Sequence, residues 1–463
     1  MKFGGKWKEK GRHDRKNLLR GGGNVFIILW MFPSSSLRPD IESGAMIMGK
    51  TTEELYKERE QRVLDAIALR KPDRVPILAH FSFFPAKYSG MTLEEVMYDP
   101  EKLWKAQWRT LTEFEPDMDN NPFALRFLGP LLETLDFKQL KWPGHGVAAD
   151  LSYQFVDGEY MMADEYDAFL ADPTDFTVRT YWPRIFGVLK GFEKLPPLRD
   201  IITYAMGTPF GFGVFGSPEV AEALEALKKA GEKSLQVGYY SRLFVEKARE
   251  AGFPMQYGGF TQAPFDTLGD YFRGTKGSML DMYRRPDKVI KACEKLLPIM
   301  LELAENASRV SGNPRIFIPI HKGLDGFMSQ EQFKRFFWPT FRDLVVALIN
   351  KDLTPCVLWE GNCTSRLDII KDVPPAKAVY AFEATNIIKA KEVLGAQVCI
   401  RGNVPLSLLV TGTPEDIRAY CKKLIDTVGK DGGYIMDSAA GFDDAKPENV
   451  KAMFEFTKEY GFY

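Results

Sequence analysis

Residues 354–362 read Thr354-Pro355-Cys356-Val357-Leu358-Trp359-Glu360-Gly361-Asn362: six residues suited to an extended strand, then a carboxylate, a glycine and an amide. The strand part is apolar nearly throughout, as expected of a strand covered on both faces. The same design recurs. Arg315-Ile316-Phe317-Ile318-Pro319-Ile320 runs into His321 and Lys322, 378–382 into Glu383, and 397–401 into Gly402-Asn403. The stretch 434–437 ends on Asp437, with Ser438 after it. Further candidate strands lie at 75–81, which carries His80 near its end, and at 116–120, 201–206 and 254–259. Helical text separates them, and short buried strands alternating with helices imply a parallel sheet with helical crossovers. The expected architecture is a (β/α)8 TIM-type barrel, with nine candidate strands for its eight places.

The helices carry start signals. Ser217-Pro218-Glu219 and Thr413-Pro414-Glu415-Asp416 each set a capping hydroxyl before a proline at the first helical position. Ser329 and Gln332 form a capping box ahead of Phe333, Phe337, Phe341, Leu344 and Leu348, and Pro339 should kink that helix or begin a new one. Between 138 and 180 the pattern is broken by glycines and by the alternation at 158–162, which reads as an inserted hairpin and lid segment. Residues 1–48 are foreign to the rest: the first twenty carry a net charge of +6, and the apolar run 25–32 is too short to span a membrane. They are expected to be a disordered N-terminal extension, or a start placed upstream of Met46 or Met48. Residues 49–463 are expected to form the barrel.

Composition excludes several classes. With 61 basic and 62 acidic residues there is no cationic surplus for a phosphate backbone, so nucleic acid is not an expected partner, nor is a membrane. Cys293, Cys356, Cys363, Cys399 and Cys421 are odd in number and form no CxxC, which fits reduced thiols in the cytoplasm. No GxGxxG follows a strand, and GxxxxGK[ST], HExxH and GxSxG do not occur, which removes the common nucleotide, zincin and serine-hydrolase readings.

In such a barrel the catalytic groups sit at the carboxyl ends of the strands. The polar residues there are His80, Asp117, Asp119, Asn120, Asn121, His321, Lys322, Glu360, Asn362, Glu383, Asn386, Arg401, Asn403 and Asp437. A single polar residue at a strand end is usually a cap or a turn former. Glu360 stands out, since a carboxylate after an apolar strand can transfer protons with a tuned pKa. His321 is the second catalytic candidate, its rival reading being a satisfied core histidine. Cys363 reads as a small buried hydrophobe more readily than as a ligand.

The run Arg70-Lys71-Pro72-Asp73-Arg74-Val75-Pro76-Ile77 resembles the opening of the uroporphyrinogen decarboxylase superfamily. Further resemblances follow in order at Leu268-Gly269-Asp270-Tyr271-Phe272-Arg273-Gly274, from His321 to Phe341, at Arg401-Gly402-Asn403-Val404-Pro405, at Gly412-Thr413-Pro414-Glu415 and at Lys446-Pro447-Glu448-Asn449-Val450. They extend over residues 55 to 463, and imply a (β/α)8 barrel with its cleft at the strand carboxyl ends.

The superfamily holds two main chemistries. Its true decarboxylases carry an RQAGRY-type segment, an FSDI-type segment and an LGHG-type segment. The corresponding stretches here read from His80 to Tyr88 without arginine, Asp117-Met118-Asp119-Asn120, and Asp437-Ser438-Ala439-Ala440-Gly441 without histidine. A polycarboxylate needs cationic partners, so uroporphyrinogen is not the expected substrate. The other branch passes methyl groups between small molecules and a corrinoid protein. Its thiol-directed members hold zinc through an HxCG-type motif and a later cysteine, where this chain has Leu358, Glu360 and Ala439 or Ala440. The resemblance therefore implies a zinc-independent methyltransferase component acting on a methyl-pterin or a methyl ether. No cofactor would be tightly bound, and the cobamide would be carried by a partner corrinoid-binding protein. Glu360 would be the acid, helped by His321, with His80, Asp119, Asn120, Glu383, Asn403 and Asp437 around the substrate. The rivals are a decarboxylase or lyase on a smaller carboxylated molecule and a non-catalytic binding barrel. Homodimerisation is compatible with each.

Overall fold

The computed structural model describes residues 46–47, 49–124, 126–202 and 211–463. Six of the apolar runs form one parallel sheet, paired in chain order: β1 (Gly259–Phe260), β2 (Arg315–Ile320), β3 (Thr354–Trp359), β4 (Val379–Phe382), β5 (Cys399–Arg401) and β6 (Tyr434–Ile435). Single parallel bridges carry the order past both edges. Met436, just after β6, pairs with Ile77; Leu78 pairs with Met118; Asp119 pairs with Met255, upstream of β1. These bridges are all parallel, so the carboxyl ends of these segments point the same way.

Both faces of the strands are covered, which explains their unbroken apolar character. On the outer face the Trp359 ring lies 6.1 Å from Phe341 and 5.9 Å from Tyr380, fully buried. Each such side chain contributes about 1.5–3 kcal/mol by leaving water. Side chains alternate along a strand, so the residues flanking Trp359 face the other way. On that inner face Leu78, Met118, Cys356, Val379, Cys399 and Ile435 pack with Val63, Ala66 and Ile67 of α1 (Thr52–Ile67). Thr51 and Glu54 start α1 with a capping box, and its apolar positions at helical spacing close the amino end of the sheet.

Several expectations are corrected. Of the strand expected at 201–206, Ile201 and Ile202 belong instead to a 3-10 turn, Leu198–Ile202, and 203–206 lie outside the described residues. Part of the hairpin expected within 138–180 exists, since Leu140–Pro143 pairs antiparallel with Gln154–Phe155. The alternation at 158–162 forms no strand, however, and the chain turns helical from Tyr166–Ala171 onward. Its glycine and acidic residues lower strand propensity, and tertiary packing decides such weak patterns. The Ser217 hydroxyl does not cap the helix Pro218–Glu250 but donates to the Val214 carbonyl at 2.8 Å. The box at Ser329 forms as expected, the Thr413 hydroxyl caps its helix as expected and also forms a box with Asp416, and Pro339 begins the helix Trp338–Asn350 after a wide turn at Phe333–Phe337. Of the extension 1–48, only 46–47 lie among the described residues, pairing with Lys50–Thr51. No helix among the described residues is long and apolar enough to cross a membrane.

Asp117, a strand-end candidate, serves the frame instead. Its carboxylate accepts from Arg62 Nη1 at 2.6 Å, Arg74 Nη1 and Nη2 at 2.9 and 2.8 Å, and the Ile77 amide at 2.8 Å. Burial raises its pKa, but the two guanidinium groups outweigh that and hold it below the usual carboxylate range. Breaking a buried pair by removing one partner strands the other charge, at a cost of about 3–5 kcal/mol. Asp117→Ala should therefore lower the unfolding free energy by about that amount in urea titrations. A loss under about 1 kcal/mol would show the cluster to be dispensable.

Candidate active site

The alternation that buries Trp359 and Phe382 outward turns Leu358 and Glu360, and Ala381 and Glu383, inward. Leu358, Ala381 and Ala439 pack together above the layer closed by α1. The same period carries Leu78 to His80, Met118 to Asn120, Cys399 to Arg401 and Ile435 to Asp437. One step further lie Glu360, Glu383 and Asn403, and His321 follows Phe317 at the same parity. Seven of the eight expected site residues thus share the inner face at one end. Asp119 does not. It turns outward, accepting from Gln107 of the helix Pro100–Phe114 at 2.6 Å and from the Asn120 amide at 2.8 Å. Burial pushes its carboxyl up to about 7 against the Gln107 bond.

His321 is the centre of the upper layer. Its Nδ1 lies 2.6 Å from Asp270 Oδ2, and its Nε2 lies 3.4 Å from Glu360 Oε2. Asp270 also accepts from Lys322 Nζ at 2.5 Å and Gln262 Nε2 at 2.7 Å, while Asp266 accepts the amides of His321 and Lys322 at 3.1 and 2.8 Å. Burial opposes charge on the imidazole, but the bonds to Asp270 and Glu360 and the field of Asp266 outweigh it and push His321 up to about 11. Asp270 is held below the usual range by His321 and Lys322, and Asp266 is raised by burial and by Asp270. Sequence reasoning left both aspartates without a role. They come from one short helical stretch whose wide turn at Leu268–Phe272 no local pattern announces, although Asp270 stands in a quoted family segment. Gly269 belongs to the same device: a Cβ there would meet Lys322 Cδ at 2.5 Å.

Below this layer Arg401 pairs with Asp437, Nε to Oδ2 at 2.7 Å, and donates to the Tyr257 hydroxyl at 2.5 Å. With its amide oxygen toward Arg401, Gln256 donates to Asn120 Oδ1 at 2.7 Å. Asp437 is therefore a partner of Arg401 before it can be a partner of substrate, though its Oδ1 has no hydrogen bond. Asn403 donates to the Thr385 carbonyl at 3.0 Å, and its buried Oδ1 is likewise unbonded. Glu383 is exposed, its pKa raised by burial of the carboxyl region and by Glu360. His80 is driven down to about 3 by burial, then by Arg126 and Arg401, so its ring is neutral. Cys363 is buried against Thr385, 3.3 Å from its hydroxyl, and burial pushes the thiol up to about 12. Asn386 caps the helix Ile387–Leu394 through the Lys389 amide, and Asn362 bonds Thr364, so these two are local turn formers.

The uroporphyrinogen decarboxylase (URO-D) family model matches residues 200–460, and the chain is a member of that family. A uroporphyrinogen decarboxylase of Chlorobium phaeovibrioides is 30% identical over 138 residues, 28% of this chain and 38% of that protein. One from Neisseria gonorrhoeae is 26% identical over 278 residues, 56% of this chain and 76% of its own length. The match to the Chlorobium phaeovibrioides and Chlorobium luteolum proteins spans 38% and 51% of their lengths. A methyltransferase from Methanosarcina mazei shares the fold, with a TM-score of 0.56 at 16% identity, over 87% of this chain and 98% of that one.

The two histidines should thus hold opposite charge states. Nitrogen-15 spectra of the imidazoles, assigned with His→Gln variants, should show His80 neutral and His321 doubly protonated from pH 5 to pH 9. Either ring titrating near its unperturbed value of about 6.5 would contradict the charge balance described.

Proposed function

We propose that the chain is a methyltransferase component that moves a methyl group between a small methylated substrate, a methyl-pterin or a methyl ether, and a separate corrinoid protein. The carrying observation is the His321 ring set between two carboxylates, Asp270 at Nδ1 and Glu360 at Nε2. The shared fold with a methyltransferase supports the same branch. We read the eight parallel segments as a (β/α)8 barrel, with the region around 138–180 inserted between its second and third strands. The five free, buried cysteines suit a cytoplasmic location.

A corrinoid carried by the partner protein would supply the nucleophile for the methyl carbon, and the residues of this chain would orient the donor and manage its proton. His321 has carboxylates at both ring nitrogens, so it serves proton transfer rather than cobalt ligation. As the carbon–oxygen or carbon–nitrogen bond breaks, its electron pair stays on the heteroatom, which becomes strongly basic. His321 Nε2 is the group that protonates it. Asp270 fixes the ring through Nδ1 and stabilises the cation, and Glu360, 40% exposed, returns a proton from solvent. The acid role expected of Glu360 thus passes to His321, with Glu360 as the relay. Asn403 Oδ1 and Asn120 orient the substrate.

Decarboxylation of uroporphyrinogen suits these residues poorly. Arg401 and Lys322 are neutralised by Asp437 and Asp270, and Glu360 and Glu383 line the open end, where a polycarboxylate would be repelled.

The test is methylation of a reduced corrinoid protein, followed by its visible spectrum over a panel of methyl-pterins and methyl ethers. His321→Gln should lower turnover by about a hundredfold or more with little change in substrate binding, and Glu360→Gln by about tenfold. An undiminished rate in the His321→Gln variant would remove His321 as the donor.

A further inference from the structure

Arg126 differs from every other buried arginine among the described residues. Arg59, Arg62, Arg273, Arg315, Arg366 and Arg401 each donate through the guanidinium to a carboxylate, carbonyl or hydroxyl. The Arg126 guanidinium makes no hydrogen bond and no ion pair within the described residues, and its Nε is sealed from water without a partner, with the residue only 8% exposed. Among the described residues its guanidinium lies over the Phe83 ring, 5.2 Å away, and Phe83 packs against Tyr153 at 5.1 Å.

Among the described residues no carboxylate neutralises this charge. It is felt at His80 and at Asp119, yet His80 is neutral and Asp119 is held up near 7 by burial with both oxygens bonded elsewhere. An unpaired cation withdrawn from water is costly, so a fold retains one where an anion is to be received. A planar guanidinium matches a carboxylate by two parallel bonds, and Phe83, fully buried, backs the Arg126 guanidinium from the core side.

We propose that Arg126 anchors a carboxylate of the substrate. This deepens the methyl-transfer reading by naming the class of methyl donor: one that carries a carboxylate away from the methyl group, so that Arg126 holds one end while His321 serves the other. A single unpaired arginine suits one carboxylate, not a ring of them.

The full-length chain is tested by thermal melting without any corrinoid, so that a failure of binding is separable from a failure of methyl transfer. Benzoate is the probe, with benzamide and inorganic phosphate as controls, against wild type, Arg126→Met and Arg126→Lys. Without ligand, Arg126→Met should melt higher than wild type, by about 2–5 °C, because an uncompensated buried charge is gone. Benzoate should raise the wild-type midpoint saturably and benzamide should not. The Arg126→Met variant should bind benzoate at least tenfold more weakly, and Arg126→Lys should keep part of the effect. A lower midpoint for Arg126→Met would make Arg126 a structural residue and overturn the proposal. So would an equal benzoate response in wild type and Arg126→Met, a response to benzamide or to phosphate alone, or none to benzoate.

Discussion

Parallel strands covered on both faces leave a chain only one choice per residue, in or out, and that period of two governs everything else here. It sends Trp359 into the helix layer against Phe341 and, in the same step, places Leu358 and Glu360 inside. A slip of one residue in register would exchange the two sets, burying a carboxylate among aromatic rings and losing several kilocalories per mole at each strand. Core and site are therefore interleaved on the same short strands, and the stability of the outer face holds the inner residues in place.

The inner face then has to balance its charges. Arg401 is met by Asp437, Lys322 and His321 share Asp270, and below them Arg62 and Arg74 share Asp117. Exposed pairs such as Lys57–Glu53 are worth little by comparison, because water and side-chain entropy offset most of their attraction. In the interior an unpaired charge costs several kilocalories per mole, so each pairing also dictates a protonation state. Opposite states for His80 and His321 follow from their neighbours, one facing cations and the other carboxylates.

Much of this was legible in the sequence, for a reason that also marks its limit. An apolar run ending in a polar residue reports a buried strand and its carboxyl end, and that located His80, His321, Glu360, Glu383, Asn403 and Asp437 on one side. Parity separates Asp119 from Asn120, but only once the strand's frame is known, and Met118 alone does not reveal which of its neighbours faces in. Asp266 and Asp270 were hidden because a wide helical turn, not a strand end, delivers them. Arg126 was hidden because it lies in a loop, where no periodicity speaks.

The central claim is that this site transfers a methyl group rather than releasing carbon dioxide, and the bond that breaks can be observed directly. The purified chain would be given carbon-13 methyl-labelled pterins and carboxylated aryl methyl ethers with reduced cobalamin, and in parallel uroporphyrinogen alone. The account predicts that the labelled methyl of one of these donors moves to cobalt, read as a new carbon-13 resonance, while uroporphyrinogen yields no carbon dioxide. Carbon dioxide released from uroporphyrinogen, with every labelled methyl still on its donor, would contradict it.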